Sequence, residues 1–387
     1  MRAATLAGDF FSFVWRMNRD ARKLPECTPI ILLIGAVLHL SSCGQLSNLG
    51  EHYREQQRIQ ELAALEPIDA HTHISATGPQ FLEMLGSLHM HVLDILYVDD
   101  TNPYRSSLEK QKTDALRFIA SSDGRATLCT TFDPFEWNQA DFAQKAIEGL
   151  NRDFADGAVA AKVWKNIGME LEGPSGKYLM PDDAILQPIY REIAEHNKTL
   201  IIHAAAVDSA WQPQSLGQRS STYMTAHPEW EMWKKSDAPQ KKDILDARDH
   251  LLATNPNLRV VGAHLGSMAS QLDELGARFD RYPNFTVDVS ARVHQLSLLP
   301  REKVRAFIIK YQDRIIYGTD LSFSAQDNPQ TAAEAWKETY LLEWRYFSTE
   351  DTFSYWGNQV QGLKLPDPVL RKLYRENAMR WIPGIAK

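Results

Sequence analysis

The run Pro67-Ile68-Asp69-Ala70-His71-Thr72-His73-Ile74 has the composition of a β-strand and carries two histidines with one residue between them. Side chains at positions i and i+2 of a strand point to the same face, about 6–7 Å apart along it. Both imidazoles can therefore reach one divalent ion, whose bonds to histidine nitrogen are about 2.0–2.1 Å long. Such a short pair also occurs in loops and on surfaces, so a metal site requires further ligands elsewhere in the chain.

Short apolar segments alternate with longer amphipathic ones from about residue 66 to the end of the chain. Eight strands that alternate with helices predict an α/β fold with a parallel sheet, and eight strands close a (β/α)8, or TIM, barrel. An open, doubly wound sheet is the alternative, although no glycine-rich phosphate loop follows any strand. The predicted strands are Pro67–Ile74, Met90–Tyr97, Ala126–Phe132, Ala158–Trp164, Thr199–His203, Arg259–His264, Phe285–Val289 and Arg314–Asp320, and the helices between them include Pro181–Asn197, Lys241–Thr254, Gln271–Phe279 and Arg301–Gln312.

Two connections are long: residues 204–240 after the fifth strand and residues 321–365 after the eighth. Both follow strands, so in a barrel both lie over the face formed by the carboxyl ends of the strands, where active sites occur. Connections of this length are usually lids or binding loops. The alternative is that their many aromatic residues pack short inserted helices against the barrel.

The amino-terminal residues resemble an export signal. Basic residues precede the apolar segment Pro29–Leu40, which is too short to span a bilayer stably, and Ser41-Ser42-Cys43-Gly44 follows it. The ending Leu40-Ser41-Ser42-Cys43 resembles a bacterial lipobox, in which the cysteine is lipidated. A membrane-anchoring helix or an uncleaved signal is the alternative, and Met17 is a second candidate for the true start.

The expected organisation is a lipoprotein signal peptide over residues 1–42, a polar tether over 43–65 and one enzyme-sized domain over 66–387. Acyl chains on Cys43 would attach the domain to a bacterial membrane. Gly44, rather than an acidic residue, after that cysteine favours the outer membrane by resemblance to lipoprotein sorting in Gram-negative bacteria. The domain would then face the periplasm.

The composition is that of an ordinary globular protein, with 44% apolar and 24% charged residues. A net charge of −7 without a basic run in the body argues against a nucleic-acid partner. Cys129 is the only cysteine in the predicted domain over 66–387, so an internal disulfide is not expected there. Cys129 is expected to be a buried strand residue, since no base lies near it in the sequence. The sequence does not predict an oligomeric state.

Three later strands end in a residue of a type that binds metal ions or moves protons. His203 ends the fifth strand, His264 the sixth and Asp320 the eighth. Each alone is equally well explained as a hydrogen-bonded structural residue. At the carboxyl ends of barrel strands, however, the three side chains would converge with His71 and His73 on one axis.

The set and order of these motifs resemble the amidohydrolase superfamily, in the amidohydrolase-related branch that also holds aminocarboxymuconate-semialdehyde-type decarboxylases. The resemblance covers roughly residues 66–384. The motifs that carry it are Asp69-Ala70-His71-Thr72-His73, the strand end at His203, Gly262-Ala263-His264-Leu265-Gly266, Tyr317-Gly318-Thr319-Asp320 and Tyr374-Arg375-Glu376-Asn377-Ala378.

The resemblance implies a divalent metal ion, commonly zinc, and His264 as acid, base or transition-state stabiliser. Imidazoles with one carboxylate suit zinc, and an open coordination position lowers the pKa of a bound water toward about 7. Asp320 would accept a proton as this water attacks a carbonyl, and His264 would stabilise the oxyanion or protonate the leaving group. The implied metal ligands are His71, His73, His203 and Asp320.

Other candidate residues lie near the ends of the predicted strands, and each has two possible interpretations. Lys162 ends the fourth strand, where two-metal relatives carry a carboxylated lysine; a cation that faces the substrate beside a single ion is the favoured alternative. A second pair, His89 and His91, begins the second strand and is interpreted as a strand entrance or a surface pair. Asp288 and Arg292 flank the end of the seventh strand, where they either orient the site or form a structural contact.

The leading hypothesis is a metal-dependent hydrolase that acts on an amide, ester or lactone carbonyl of a small molecule. A non-oxidative decarboxylase is the alternative, because it needs the same metal-binding residues and His264. A binding lipoprotein with an inactive barrel is a third hypothesis. It predicts a missing ligand, yet all four candidate ligands are present.

Overall fold

The computed structural model describes residues 53–99, 108–173, 175–212 and 227–386. The predicted signal peptide, Cys43 and most of the predicted tether lie outside the described residues, so these expectations and the domain limits stay predictions. Residues 53–63 form a helix, and Leu62 on this helix is fully buried in the core. Within the described ranges, no helix combines the length and the apolar character needed to cross a bilayer.

The main sheet contains nine parallel strands among the described residues. They are β1 (Ile68–Ile74), β2 (His91–Ile95), β3 (Ala126–Thr131), β4 (Ala160–Val163), β5 (Thr199–Ile202), β6 (Arg259–Gly262), β7 (Phe285–Asp288), β8 (Ile315–Ile316) and β9 (Leu321–Phe323). Each strand from β1 to β7 pairs with its successor, and β9 pairs with the other side of β1, so β8 and β9 are the two edges of the sheet. The prediction of an α/β fold with a parallel sheet is confirmed.

Helices separate the strands, as the alternating apolar pattern predicts. They are α1 (Pro79–Ser87), α2 (Leu108–Ser121), α3 (Phe142–Ala155), α4 (Gln187–Glu195), α5 (Lys241–Thr254), α6 (Leu272–Arg281), α7 (Val293–Ser297), α8 (Arg301–Lys310), α9 (Pro329–Ser348), α10 (Asp367–Arg371) and α11 (Asn377–Trp381). An antiparallel hairpin of β10 (Thr352–Tyr355) and β11 (Asn358–Gln361) follows α9. Single helical turns cover Pro134–Glu136, Asn166–Met169, Ala184–Leu186, Asp208–Trp211, Pro228–Trp230, Met232–Lys234, Ala263–Gly266 and Lys372–Glu376.

The sequence predicts a strand over Arg314–Asp320, whereas the structure has a strand only at Ile315–Ile316 (β8), then an interruption before β9 begins at Leu321. Asp320 lies in the interruption and has a φ of +66°. The backbone N–H of Ala70 donates to the Tyr317 carbonyl at 3.0 Å, and that of Asp320 donates to the His71 carbonyl at 2.7 Å. Main-chain hydrogen bonds between β1 and residues 317–320 therefore connect the two edges of the curled sheet.

A buried carboxylate explains why the strand is interrupted. Asp69 of β1 accepts hydrogen bonds from the backbone N–H and the hydroxyl of Thr319, at 3.0 and 2.6 Å. It also accepts from the Tyr340 hydroxyl at 3.0 Å and from the backbone N–H of His71 at 3.1 Å. Thr319 is thus bound to a side chain rather than to a neighbouring strand. This partner lies 250 residues away, so no local pattern predicts it.

The connection after β9 consists of regular structure, with α9 as its longest element. Trp336 and Trp344 of α9 are buried in the hydrophobic core, and Trp230 in the connection after β5 is buried as well. These three side chains therefore follow the packing alternative left open by the sequence. Residues 213–226 of the connection after β5 lie outside the described residues.

Glu343 of α9 is a buried acid held between two tyrosines. The Tyr317 hydroxyl donates to its Oε2 at 2.7 Å, and the Tyr355 hydroxyl of the hairpin donates to its Oε1 at 3.1 Å. Burial raises the pKa of Glu343 to about 8. The folded protein therefore holds this proton in a pH range where the unfolded chain, with a glutamate pKa of about 4.3, has released it.

The free energy of unfolding is expected to fall as the pH rises from about 4 toward 8, because over this range the folded state binds one more proton at Glu343 than the unfolded state. Glu343→Gln cannot ionise, so it should show a shallower decline than the wild type. Urea unfolding between pH 5 and pH 9 measures this. Glu338→Gln, at an exposed position of the same helix, is the matched control. Equal slopes for wild type and Glu343→Gln would contradict the expectation.

Candidate metal centre

His73 of β1 has one ring nitrogen bound and the other directed at an acid. Its Nδ1 lies 2.7 Å from the carbonyl oxygen of Ile95. Because a carbonyl only accepts hydrogen bonds, Nδ1 carries a hydrogen, and in the neutral form of the ring the lone pair lies on Nε2. This Nε2 lies 3.1 Å from Oδ1 of Asp320, whose side chain is 30% exposed and so reachable from solvent. His73 therefore presents a nitrogen of the kind that binds a cation.

His71 presents its Nε2 in the same way. Burial lowers the pKa of His71, so its ring is neutral. Its Nδ1 donates to the carboxylate of Asp288 at 2.9 Å, which leaves the lone pair on Nε2. That nitrogen is 3.5 Å from Oδ1 of Asp320. One ligand atom from each of His71, His73 and Asp320 lies within 4.8 Å of the other two, so the three can share one ion.

His203, directly after β5, has an unsatisfied nitrogen. Its Nε2 is buried and has no hydrogen-bond partner among the described residues. Such an atom costs roughly 1–3 kcal/mol unless something binds it. Burial lowers the pKa of His203 well below its ordinary value, and a neutral imidazole is the form that binds metal. The donor set therefore fits a divalent cation.

The arrangement of His203 differs from that of the other predicted ligands. Its ring lies 4.4 Å from the ring of His264, centroid to centroid. It does not belong to the group of atoms within 4.8 Å formed by His71, His73 and Asp320. Its role as the fourth ligand stays a prediction.

His264 lies beside His71, with ring centroids 4.8 Å apart. Its Nδ1 lies 2.9 Å from the carbonyl oxygen of Ser290, so Nδ1 carries the hydrogen and Nε2 the lone pair. Burial lowers the pKa of His264 to about 3. The neutral ring must accept a proton at Nε2 before it can donate one there. This geometry favours proton transfer as the role of His264. Only the protonated ring could stabilise an oxyanion directly, because the neutral ring has no hydrogen on Nε2.

Asp288 and Ser290 orient both histidines. Asp288 accepts from Nδ1 of His71 through one oxygen and from the backbone N–H of His264, at 2.8 Å, through the other. Burial opposes ionisation of Asp288, yet its pKa lies below the ordinary value because of the electrostatic interaction with His71 and the hydrogen bonds that His71 and Ser290 make to the carboxylate. His71, His264 and Asp288 also lie close enough to hold a metal, but these hydrogen bonds already use the Nδ1 atoms. Ser290 has no recognisable signal in the sequence.

Lys162 brings a buried amine to the centre. Its Nζ lies 3.1 Å from Nε2 of His71, the atom predicted to bind metal. Burial lowers the pKa of Lys162, so its charge is held less strongly than that of a surface lysine. A small cavity opens beside it. The cavity is lined by Val98, Thr131, Phe132, Pro134, Lys162, Val163, Trp164, Asn166 and Ile167.

Aromatic side chains extend from the centre toward the connection after β5. The ring of His73 contacts Tyr97, Tyr97 contacts Trp164 and Trp164 contacts Trp230, with centroids 4.9, 5.4 and 5.2 Å apart. The ammonium of Lys165 lies 4.3 Å from the Trp230 ring. Burial lowers the pKa of Lys165 to about 7. One wall of the centre is therefore aromatic.

The family model for amidohydrolases matches residues 68–383 of this chain. The chain belongs to the amidohydrolase family, as its motifs predict. Members of this family typically bind a divalent metal, and the histidine–aspartate group described above is able to hold one. No curated protein matches the sequence.

Solved structures with a similar fold come from several bacteria. An uncharacterized TIM-barrel protein from Bordetella bronchiseptica shares 13% identity, with 82% of this chain and 99% of that chain covered and a TM-score of 0.49. The 2,6-dihydroxybenzoate decarboxylase from Rhizobium shares 16% identity, with coverages of 82% and 98% and a TM-score of 0.45. Dihydroorotase from Campylobacter jejuni shares 12% identity, with coverages of 81% and 82% and a TM-score of 0.42.

Proposed function

We propose that this protein is a metal-dependent hydrolase that uses an activated water to cleave an amide, ester or lactone. One zinc ion would be held by His71, His73, His203 and Asp320. Its scaffold would be a closed (β/α)8 barrel in which β8 and β9 are the two parts of the eighth strand. The observation that carries the proposal is that Nε2 of His71 and Nε2 of His73 both lie beside the partly exposed carboxylate of Asp320, while each ring has its Nδ1 hydrogen-bonded elsewhere.

The hydrogen bonds of the ring nitrogens support this proposal. His73 and His264 each give the Nδ1 hydrogen to a carbonyl, and His71 gives its own to Asp288. In this tautomer the lone pair of each neutral ring lies on Nε2, and two such nitrogens cannot hydrogen-bond to one another. They require a cation or a proton donor between them, and metal-binding histidines are commonly oriented by hydrogen bonds of this kind.

The chain's own residues then divide the proton transfers. A bound divalent ion supplies a water with a pKa near about 7 and polarises the carbonyl under attack. Asp320, partly exposed and next to both β1 histidines, accepts the proton from the attacking water. His264 accepts a proton at Nε2 and delivers it to the leaving group, while Ser290 holds the opposite side of its ring.

The alternative is a non-oxidative decarboxylase with the same metal-binding residues. The observation that favours it is the buried amine of Lys162 next to Nε2 of His71, since a cation there suits a substrate with a carboxylate. In this version the ion would hold the substrate and His264 would protonate the carbon that loses carbon dioxide.

Attachment to a membrane is a separate proposal. We propose that lipidation of Cys43 holds the enzyme at the bacterial outer membrane, facing the periplasm. The basic residues, the short apolar segment Pro29–Leu40 and the lipobox-like residues before Cys43 support it.

The hydrolase proposal predicts zinc-dependent incorporation of solvent oxygen into product. Purified protein should contain about one equivalent of divalent ion by elemental analysis, lose activity on chelation and regain it with zinc. Lactones, esters, amides and hydroxybenzoates are incubated in ¹⁸O-labelled water, and products are examined by mass spectrometry. Label in the new carboxylate is the expected result. Carbon dioxide release without label would overturn it, and protein that neither holds nor responds to zinc or manganese would favour an inactive binding lipoprotein.

A further inference from the structure

Residues 264–267 form a left-handed turn directly after β6. The φ angles of His264, Leu265, Gly266 and Ser267 are +59°, +56°, +58° and +64°. Only glycine adopts this region without a steric penalty, and residues with side chains occur there singly rather than in succession. Three such residues in one turn therefore require surrounding structure that holds them.

Hydrogen bonds to three neighbouring segments hold this turn, two of them made by side chains of those segments. Asp288 accepts the backbone N–H of His264 at 2.8 Å. The Ser267 hydroxyl donates to the carbonyl of Ala205 at 2.5 Å. The third contact comes from α5, where Nη1 of Arg248 donates to the carbonyl of Gly266 at 2.8 Å.

Arg248 is a fully buried arginine with a fixed orientation. Its Nε and Nη2 both donate to Oδ1 of Asp249, at 3.1 and 2.7 Å, and Asp249 in turn accepts from Nε of Arg278 at 2.8 Å. The guanidinium carbon lies 4.9 Å from the ring centroid of Phe285. The planar group is therefore held on two sides and presents its remaining edge to the turn.

The turn leaves no space for an alternative arrangement at this contact. A Cβ atom added to Gly266 would lie 3.2 Å from Nη1 of Arg248 and 3.2 Å from the ring of Phe285. The Gly266 carbonyl and the guanidinium thus fit one another closely. Burying a charged guanidinium is costly, and a neutral residue would fill the same space without that cost. The hydrogen bond from Arg248 to the Gly266 carbonyl therefore explains why a charged residue occupies this buried position.

We propose that Arg248 is a positioning residue for His264. By holding the left-handed turn at Gly266, it keeps Nδ1 of His264 on the Ser290 carbonyl and so presents Nε2 to the substrate. Arg248 acts through the backbone, and its hydrogen bonds among the described residues include none to a candidate metal ligand. The structural part stands by itself, and only its kinetic consequence rests on the proposed function.

The structural part is tested by the hydrogen on Nδ1 of His264. In zinc-loaded, ¹⁵N-histidine-labelled full-length protein this hydrogen should give a slowly exchanging signal, which is assigned by its loss in His264→Gln. Arg248→Met should exchange it at least about tenfold faster, because the bond to Ser290 opens more often. Arg314→Met is the matched control, since Arg314 also donates to backbone carbonyls, those of Pro283 and Phe285. It should leave the signal unchanged.

The kinetic part is tested on any substrate that the wild type hydrolyses. Arg248→Met should lower kcat by about 10–100-fold, the usual effect of losing a residue that orients a catalytic group. KM should stay within about twofold, and Arg248→Lys, which keeps one donor, should recover most of the loss. In the His264→Gln background, Arg248→Met should cost nothing further, because residues that act as one unit are not additive.

Three results would overturn the proposal: an unchanged His264 signal in Arg248→Met, equal losses in Arg248→Met and Arg314→Met, or multiplied losses in the double variant. If Arg248→Met does not fold, Arg248→Lys carries the same measurements, with a smaller increase in exchange rate expected. If the wild type hydrolyses nothing, the proposed function fails and the exchange measurement still decides the role of Arg248.

Discussion

Replacing His71 with alanine is expected to remove the metal ion and the activity together. His71 places Nε2 3.5 Å from Oδ1 of Asp320, and Asp288 fixes its tautomer at 2.9 Å. Removing one of the four proposed ligands leaves too few donors for a stable site, so bound zinc should fall from about one equivalent to near zero after dialysis. Elemental analysis and the rate of product formation measure the two losses on the same sample.

The chain offers a matched control for this substitution in its second histidine pair. His91 begins β2, at the opposite end of the strands from the centre, and Nδ1 of His91 has no hydrogen-bond partner among the described residues. His91→Ala should keep both zinc and activity. If His71→Ala retained a full equivalent of zinc, the ligand set proposed here would be wrong.

Replacing His264 with glutamine is expected to keep the ion and lose turnover. The ring is neutral, its Nδ1 is bound to Ser290, and its Nε2 is the atom left for proton transfer. Loss of a residue that transfers a proton or stabilises transition-state charge typically lowers kcat by about 10²–10³-fold. Steady-state kinetics with zinc analysis separate this outcome from loss of metal.

His250→Gln is the control for this second substitution, because His250 is exposed on α5 and contacts Asp182 at the surface. It should keep the wild-type rate. Loss of zinc in His264→Gln would instead indicate that His264 is a metal ligand. This outcome is tested because the ring of His264 lies only 4.4 Å from that of His203, a proposed ligand. A rate close to wild type with zinc retained would remove His264 from the proton transfers.

Local patterns were enough to predict the parallel sheet and the proximity of His71, His73 and Asp320. The apolar segments mark the strands because a strand buried on both faces reads as a short apolar run. The two-residue period of β1 places His71 and His73 together, and the strand ends place Asp320 near them. Helix α5 has the predicted limits, Lys241–Thr254, and its Gln240–Asp243 capping box is a signal carried by adjacent residues.

Features that depend on distant partners could not be predicted in this way. The interruption of the eighth strand depends on Asp69, 250 residues from Thr319. The left-handed turn of His264 depends on Asp288 and Arg248, which lie on other elements. Neither contact leaves a periodic trace in the sequence, because each is a single hydrogen-bonded pair set by tertiary packing. The sequence placed His264 at a strand end and gave no sign of its backbone conformation.

The division of the eighth strand also bears on how the chain matures. His73 and Asp320 lie 247 positions apart in the sequence and meet where β1 pairs with β9. During synthesis, His71 and His73 leave the ribosome long before Asp320 is added to the chain. Contacts of such long range form late in folding. Metal binding would thus require the chain to be complete through Asp320. A chain truncated before Asp320 would be unable to retain the ion.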